Sequence, residues 1–126
     1  VIARACPSFA PAVEQGHFLP GDTIAEAAVR RELAPFSGSG IDTLLLGCTH
    51  YPLLADVISA YLGDDVALVS AGAEAAKELA AYLRDNGRLG SGSGRREYFT
   101  SGELSVFERS AALFLGHSIA AKRHIL

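Results

Sequence analysis

Four consecutive residues, Gly47-Cys48-Thr49-His50, carry the side chains best suited to chemistry in this chain. A thiol becomes a nucleophile or a proton carrier once it ionises. An imidazole two residues on exchanges protons near neutral pH. The hydroxyl between them can hydrogen-bond a ligand, and the glycine lets a ligand approach the backbone. A plainer reading stands beside this one. A lone cysteine at a strand end is often just a small buried hydrophobe, and a lone histidine is often a hydrogen-bonded structural residue. A metal is not expected: Cys48-x-His50 falls short of the three or four ligands that zinc takes, and His17, His117 and His124 show no ligand spacing to it.

The elements around the quartet explain how it would be held. Thr43-Leu44-Leu45-Leu46 is a short unbroken apolar run, the pattern of a buried parallel strand. Pro52 suits the first turn of a helix, predicted from Pro52 to Leu62. The quartet is then a strand-to-helix turn, where unpaired N–H groups and partial positive charge favour a thiolate and can hold a carboxylate. Upstream, Val1 to Cys6 reads as a strand, Ser8 to Gly21 as an irregular stretch, and Thr23 to Ala34 as a helix opened by a Thr23/Glu26 capping box. Downstream, Val66–Val69 reads as a strand and Glu74–Arg84 as an amphipathic helix with Ala75, Ala76, Leu79, Tyr82 and Leu83 on one face, stopped at Asn86-Gly87. Gly90 to Gly94 is a flexible connector, with Arg95 and Arg96 as exposed charges beside it. Glu97–Thr100 is a fourth strand. A second capping box, Thr100 to Glu103, opens a helix with Leu104, Phe107, Ala111 and Phe114 on one face, closed at Gly116. His117 to Leu126 reads as a solvated tail. Strands alternating with helical or irregular crossovers predict an α/β layered fold with a mostly parallel sheet flanked by helices, its ligands at the carboxyl ends of the strands.

The 126 residues are one domain's worth of chain, 49% hydrophobic and 20% charged, which predicts a globular protein. A net charge of -3 argues against a nucleic-acid partner or an anionic membrane surface. No apolar run approaches a membrane span, and no signal peptide is in view. Two cysteines, Cys6 and Cys48, are too few for a disulfide scaffold and fit a reducing compartment. The chain holds no methionine and opens on Val1, so it is expected to be a piece of something longer.

Leu44 to Leu54, reading Leu-Leu-Leu-Gly-Cys-Thr-His-Tyr-Pro-Leu-Leu, resembles the second catalytic cysteine motif of the glutamate racemases, in the aspartate/glutamate racemase superfamily. Ala5 to Phe9 with Val13 to Gly16, Val69 to Ala76, and Tyr98 to Gly102 with Phe107 and Phe114 to Gly116 resemble further stretches of that family, in order. The resemblance covers essentially the whole chain and corresponds to about the C-terminal half of a family member. It implies cofactor-independent interconversion of L- and D-glutamate by two thiols on opposite faces of the α-carbon, supplying D-glutamate for peptidoglycan in the cytoplasm. On it, Cys48 is the second acid/base, His50 assists it, Thr49 binds the substrate's α-carboxylate or amino group, and Glu14 supports the site from a neighbouring loop. Ser70 falls where many relatives carry an acidic residue, and Cys6 matches a non-catalytic position. The opposite thiol lies in the missing N-terminal half, which becomes the expected partner. Residues 1–68 would finish the family's second domain and 69–126 would return to complete its first, and exposed surfaces would favour self-association, such as a homodimer.

Other classes remain. A related two-cysteine isomerase such as aspartate racemase would differ in substrate. A Cys-His hydrolase would form a thioester, and no third, orienting residue is evident in the sequence. An inactive half acting as a binding or packing module would show no turnover.

Overall fold

The structure, a computed structural model, describes residues 1–125. It divides into two compact units, Val1–Gly87 and a second beginning at Arg88.

The first unit is built mainly of helices. Helix α1 spans Phe9–Glu14 inside the stretch expected to be irregular. Pro11 lies in its first turn, where no N–H is needed, and Phe9, Ala12 and Val13 bury one face. Helix α2 spans Thr23–Leu33 and runs into a 3-10 turn at Ala34–Phe36. Its cap is Asp22 rather than Thr23: the carboxylate accepts from the N–H groups of Ile24 and Ala25, while Glu26 reaches back to the N–H of Gly21. The cap thus lies one residue earlier than expected, because a carboxylate caps as well as a hydroxyl, and Glu26 satisfies the N–H before it rather than closing a capping box.

Strand β1, Thr43–Leu46, leads through a 3-10 turn at Tyr51–Leu54 into helix α3, Ala55–Leu62. Strand β2, Ala67–Ser70, pairs in parallel with β1 from Thr43↔Ala67 to Leu46↔Ser70. Helix α4, Ala71–Asp85, follows directly, capped by Ser70, whose hydroxyl accepts from the N–H of Ala73. The largest fully buried side chains, Phe9, Val13, Val29, Leu33, Leu54 and Ile58, come from α1, α2, α3 and the 3-10 turn. Only Leu46 of β1 is buried, and Leu45 remains 63% exposed. The expectation of a buried strand is thus half met: helices cover one face of β1, and among the described residues β2 is its one ladder partner. Val1–Ala5 is irregular rather than a strand, since no ladder pairs with it. The apolar face read on α4 is also uncovered, with Leu79 and Tyr82 both more than half exposed.

The second unit holds β3 (Tyr98–Thr100), α5 (Leu104–Leu115) and β4 (Ala121–Arg123). The tail expected to be solvated contributes β4, which pairs in parallel with β3 from Tyr98↔Ala121 to Thr100↔Arg123. Leu126, also part of that reading, lies outside the described residues. Besides the ladder, Glu108 accepts from the N–H of Ala121 at 2.8 Å, and Lys122 meets Glu97 at 3.0 Å. Such tertiary partners are invisible to a local pattern. Glu103 caps α5 by accepting from the N–H of Val106, while the Thr100 hydroxyl folds back onto the N–H of Gly102. Gly116 ends α5 at φ 71°, the left-handed conformation that a glycine stop supplies. Described strands number four, as expected, with β4 in place of Val1–Cys6, and both ladders are parallel. Among the described residues no helix is long and apolar enough to cross a membrane.

Candidate active site

Cys48, Thr49 and His50 stand immediately beyond the carboxyl end of β1. The chain turns there because the N–H of Tyr51 bonds the carbonyl of Cys48 at 3.1 Å, and that of Leu53 bonds the carbonyl of His50 at 3.1 Å. Pro52 sits early in this 3-10 turn, where its missing N–H is harmless. The expected helix therefore begins as a tight turn, and the α-helical part starts at Ala55. A single 3-10 turn stands between Cys48 and α3, so the thiol is not at the mouth of a full α-helix.

His50 joins the side chains. Its Nδ1 lies 3.7 Å from Cys48 Sγ and 3.4 Å from Thr49 Oγ1. Its Nε2 lies 3.1 Å from Glu14 Oε1. Glu14 is the last residue of α1, 36 positions upstream. An ionised carboxylate only accepts, so Nε2 carries the hydrogen and Nδ1 faces the thiol and hydroxyl with its lone pair. The imidazole is thus placed between the Cys48 thiol and the Glu14 carboxylate. All four residues singled out in the sequence are thereby brought together: Cys48 and His50 half-buried, Thr49 and Glu14 exposed. Glu14 meets His50 directly, a contact between α1 and the turn after β1 that the spacing of the sequence does not show.

Cys6 has a different setting. It is buried at 7% exposure, and desolvation, reinforced by the nearby Glu32 carboxylate, pushes its thiol up. Both cysteines are free. A cleft of about 710 Å³ runs beside β1, with Arg4, Cys6, Leu44, Leu46 and Cys48 among its lining. Cys48 therefore faces a largely apolar space on one side and His50 on another. Among the described residues no group of three or more His, Cys, Asp and Glu is placed to hold a metal.

One residue escaped the sequence reading. Glu32, on the inner face of α2, is buried at 4% exposure yet charged. Ser8 donates to it at 2.7 Å, and Arg31 and Arg4 lie at 3.4 and 3.8 Å. The Ser8 hydrogen bond, then Arg31, hold its carboxyl below the usual range against the opposing effect of burial. The available signal was a carboxylate at an apolar position, three residues after Val29 and beside Leu33.

No family model matches the chain. Among curated proteins, glutamate racemase from Bacillus cereus is 38% identical over 99% of this chain and 46% of its own length. Glutamate racemase from Shouchella clausii is 43% identical over 91% of this chain and 41% of its own. Along its whole length this chain is homologous to glutamate racemases. A glutamate racemase isoform from Bacillus anthracis superposes with a TM-score of 0.86 at 38% identity, covering 98% of this chain and 46% of that one. Glutamate racemase from Thermus thermophilus, solved with β-chloro-D-alanine, gives 0.87 at 34% identity, with 98% and 47% covered. The fold is thus the α/β fold of the glutamate racemases, and the chain spans about half the length of the relatives it matches.

Proposed function

We propose that this chain is the C-terminal half of a glutamate racemase and carries one of its two acid/base thiols. The observation behind this reading is the Cys48–His50–Glu14 chain of contacts, 3.7 and 3.1 Å long, at a strand's carboxyl end in a racemase homologue. His50 Nδ1 takes the Cys48 proton, and the thiolate removes the α-hydrogen of glutamate as a proton. The electron pair stays on the α-carbon, delocalised into the adjacent carboxyl. A thiol on the opposite face, supplied by the other half of the enzyme, returns a proton and inverts the centre. In the reverse direction Cys48 donates. Thr49, exposed beside Cys48, binds the α-carboxylate or amino group. Proton transfer between carbon and sulfur requires no cofactor. The product serves peptidoglycan synthesis, and hence cell-wall formation and cell shape, in the cytoplasm.

Residues 1–68 belong to one racemase domain and 69–126 to the other on this reading. The uncovered apolar face of α4 is then a surface for the N-terminal half, or in its absence for a homodimer. The test is the full-length protein in deuterated water with L- or D-glutamate. The wild type incorporates deuterium at the α-carbon and racemises, whereas Cys48→Ser loses racemisation. An active Cys48→Ser enzyme would refute the assignment. Turnover of aspartate in preference to glutamate would move it to the related racemases.

One observation favours a second reading: with Glu14 behind it, the Cys48/His50 pair has the nucleophile–base–orienter order of a cysteine hydrolase. A thioester on Cys48, trapped and weighed by mass spectrometry, would establish that chemistry.

A further inference from the structure

We infer that Tyr51 is a positioning residue, seating α1 so that Glu14 meets His50. The inference rests on the proposed roles of Cys48 and His50. Helix α1 has only six residues, and Ser8 before it makes no side-chain cap. So short a helix takes its place from tertiary contacts, not from its own hydrogen bonds. The contact between Glu14 and His50 does not provide that seat, because Glu14 is exposed and a surface pair of this kind holds little.

The buried Phe9, Ala12 and Val13 hold α1 to the core, and Tyr51 links its start to the turn that carries Cys48 and His50. The Tyr51 backbone is part of that turn through the bond from its N–H to the Cys48 carbonyl. Its hydroxyl donates to the carbonyl of Cys6, 45 residues away, at 3.4 Å. The same carbonyl accepts from the N–H of Phe9, the first residue of α1, at 3.1 Å. Its ring stands edge-on to the Phe9 ring, with centroids 5.1 Å apart and planes at 83°, a favoured aromatic geometry. Burial, with both cysteines nearby, pushes the phenol up, so it remains a donor. One side chain therefore ties the turn bearing Cys48 and His50 to the start of the helix that ends in Glu14.

The test is a double-mutant cycle in this 126-residue chain, with iodoacetamide as probe and the Cys48 peptide followed by mass spectrometry. Glu14→Gln is expected to slow Cys48 alkylation about fivefold and Tyr51→Phe about threefold, as befits the loss of single hydrogen bonds. The double variant is expected to react no more slowly than Glu14→Gln alone, because the tyrosine acts through Glu14. Circular dichroism confirms that each variant is folded. If Tyr51→Phe fails to fold, Phe9→Leu, which removes the ring partner and leaves the hydroxyl, takes its place in the cycle with the same expectation. The proposal is overturned if the Tyr51 effect is equal with and without Glu14, or if either single variant leaves the rate unchanged. A racemase assay on the full-length protein is a separate measurement, so loss of the functional reading is distinguishable from loss of this coupling.

Discussion

Cys48 and Cys6 differ in the two properties that govern thiol reactivity, access and stabilisation of the thiolate. Cys48 is half-buried and within reach of an imidazole, whereas Cys6 is buried with its thiol pushed up by desolvation and by Glu32. At pH 8 the folded chain should therefore alkylate at Cys48 at least about ten times faster than at Cys6. Peptide mapping reads the ratio, and equal rates would contradict the contrast in settings. On the proposed function, Glu14→Gln in the full-length protein should lower the kcat of racemisation by roughly a hundredfold, the low end of what acid–base catalysis contributes, with a smaller change in KM. A change confined to KM would instead make Glu14 a substrate ligand.

At the scale of elements, α1, α2 and the turn after β1 depend on one shared core. Leu54 closes the 3-10 turn that follows His50 and is fully buried. Leu54→Ala should cost about 3 kcal/mol in urea unfolding through lost burial and the cavity left behind. A cost below about 1 kcal/mol would mean that the turn is not anchored there. Glu32 ties α2 to Ser8 and adds a pH dependence. Its carboxyl sits lower in the folded state than in the unfolded chain, so folding favours its ionised form. That stabilisation is fully present above the unfolded carboxylate value of about 4.3 and is lost as pH falls through the lower folded value. Thermal melts of the wild type should therefore lose stability on acidification toward pH 3, and Glu32→Gln should flatten that slope while starting from a lower stability at pH 7. An unchanged slope would remove Glu32 from the acid response.

At the scale of the molecule, the two units are joined through a stretch from Arg88 to Arg96 that is exposed throughout. Arg88, Arg95 and Arg96 should be the first sites of tryptic cleavage, releasing a fragment ending near Gly87 that remains folded. First cleavage at Arg30 or Arg31, inside α2, would show that the first unit opens before the connector is cut. The core residues all lie between Cys6 and Ile58. Amide exchange should accordingly be slowest in α2 and α3 and faster in α4 and α5, neither of which has a fully buried side chain.

What the sequence determined by itself was local or chemical. The Gly47–His50 turn, the apolar run before it, the glycine stop at Gly116 and the reactive side chains depend on residue types at short spacing, where propensity and periodicity act. The tertiary structure decided the rest. It placed a helix across Pro11, made a strand of Ala121–Arg123, left Val1–Ala5 unpaired and put Glu14 against His50 from 36 residues away. Each of those outcomes turns on which distant surface a segment finds to pack against or pair with. A ladder partner or a second layer of side chains is not encoded in a window of neighbouring residues, and only the folded chain brings it into contact.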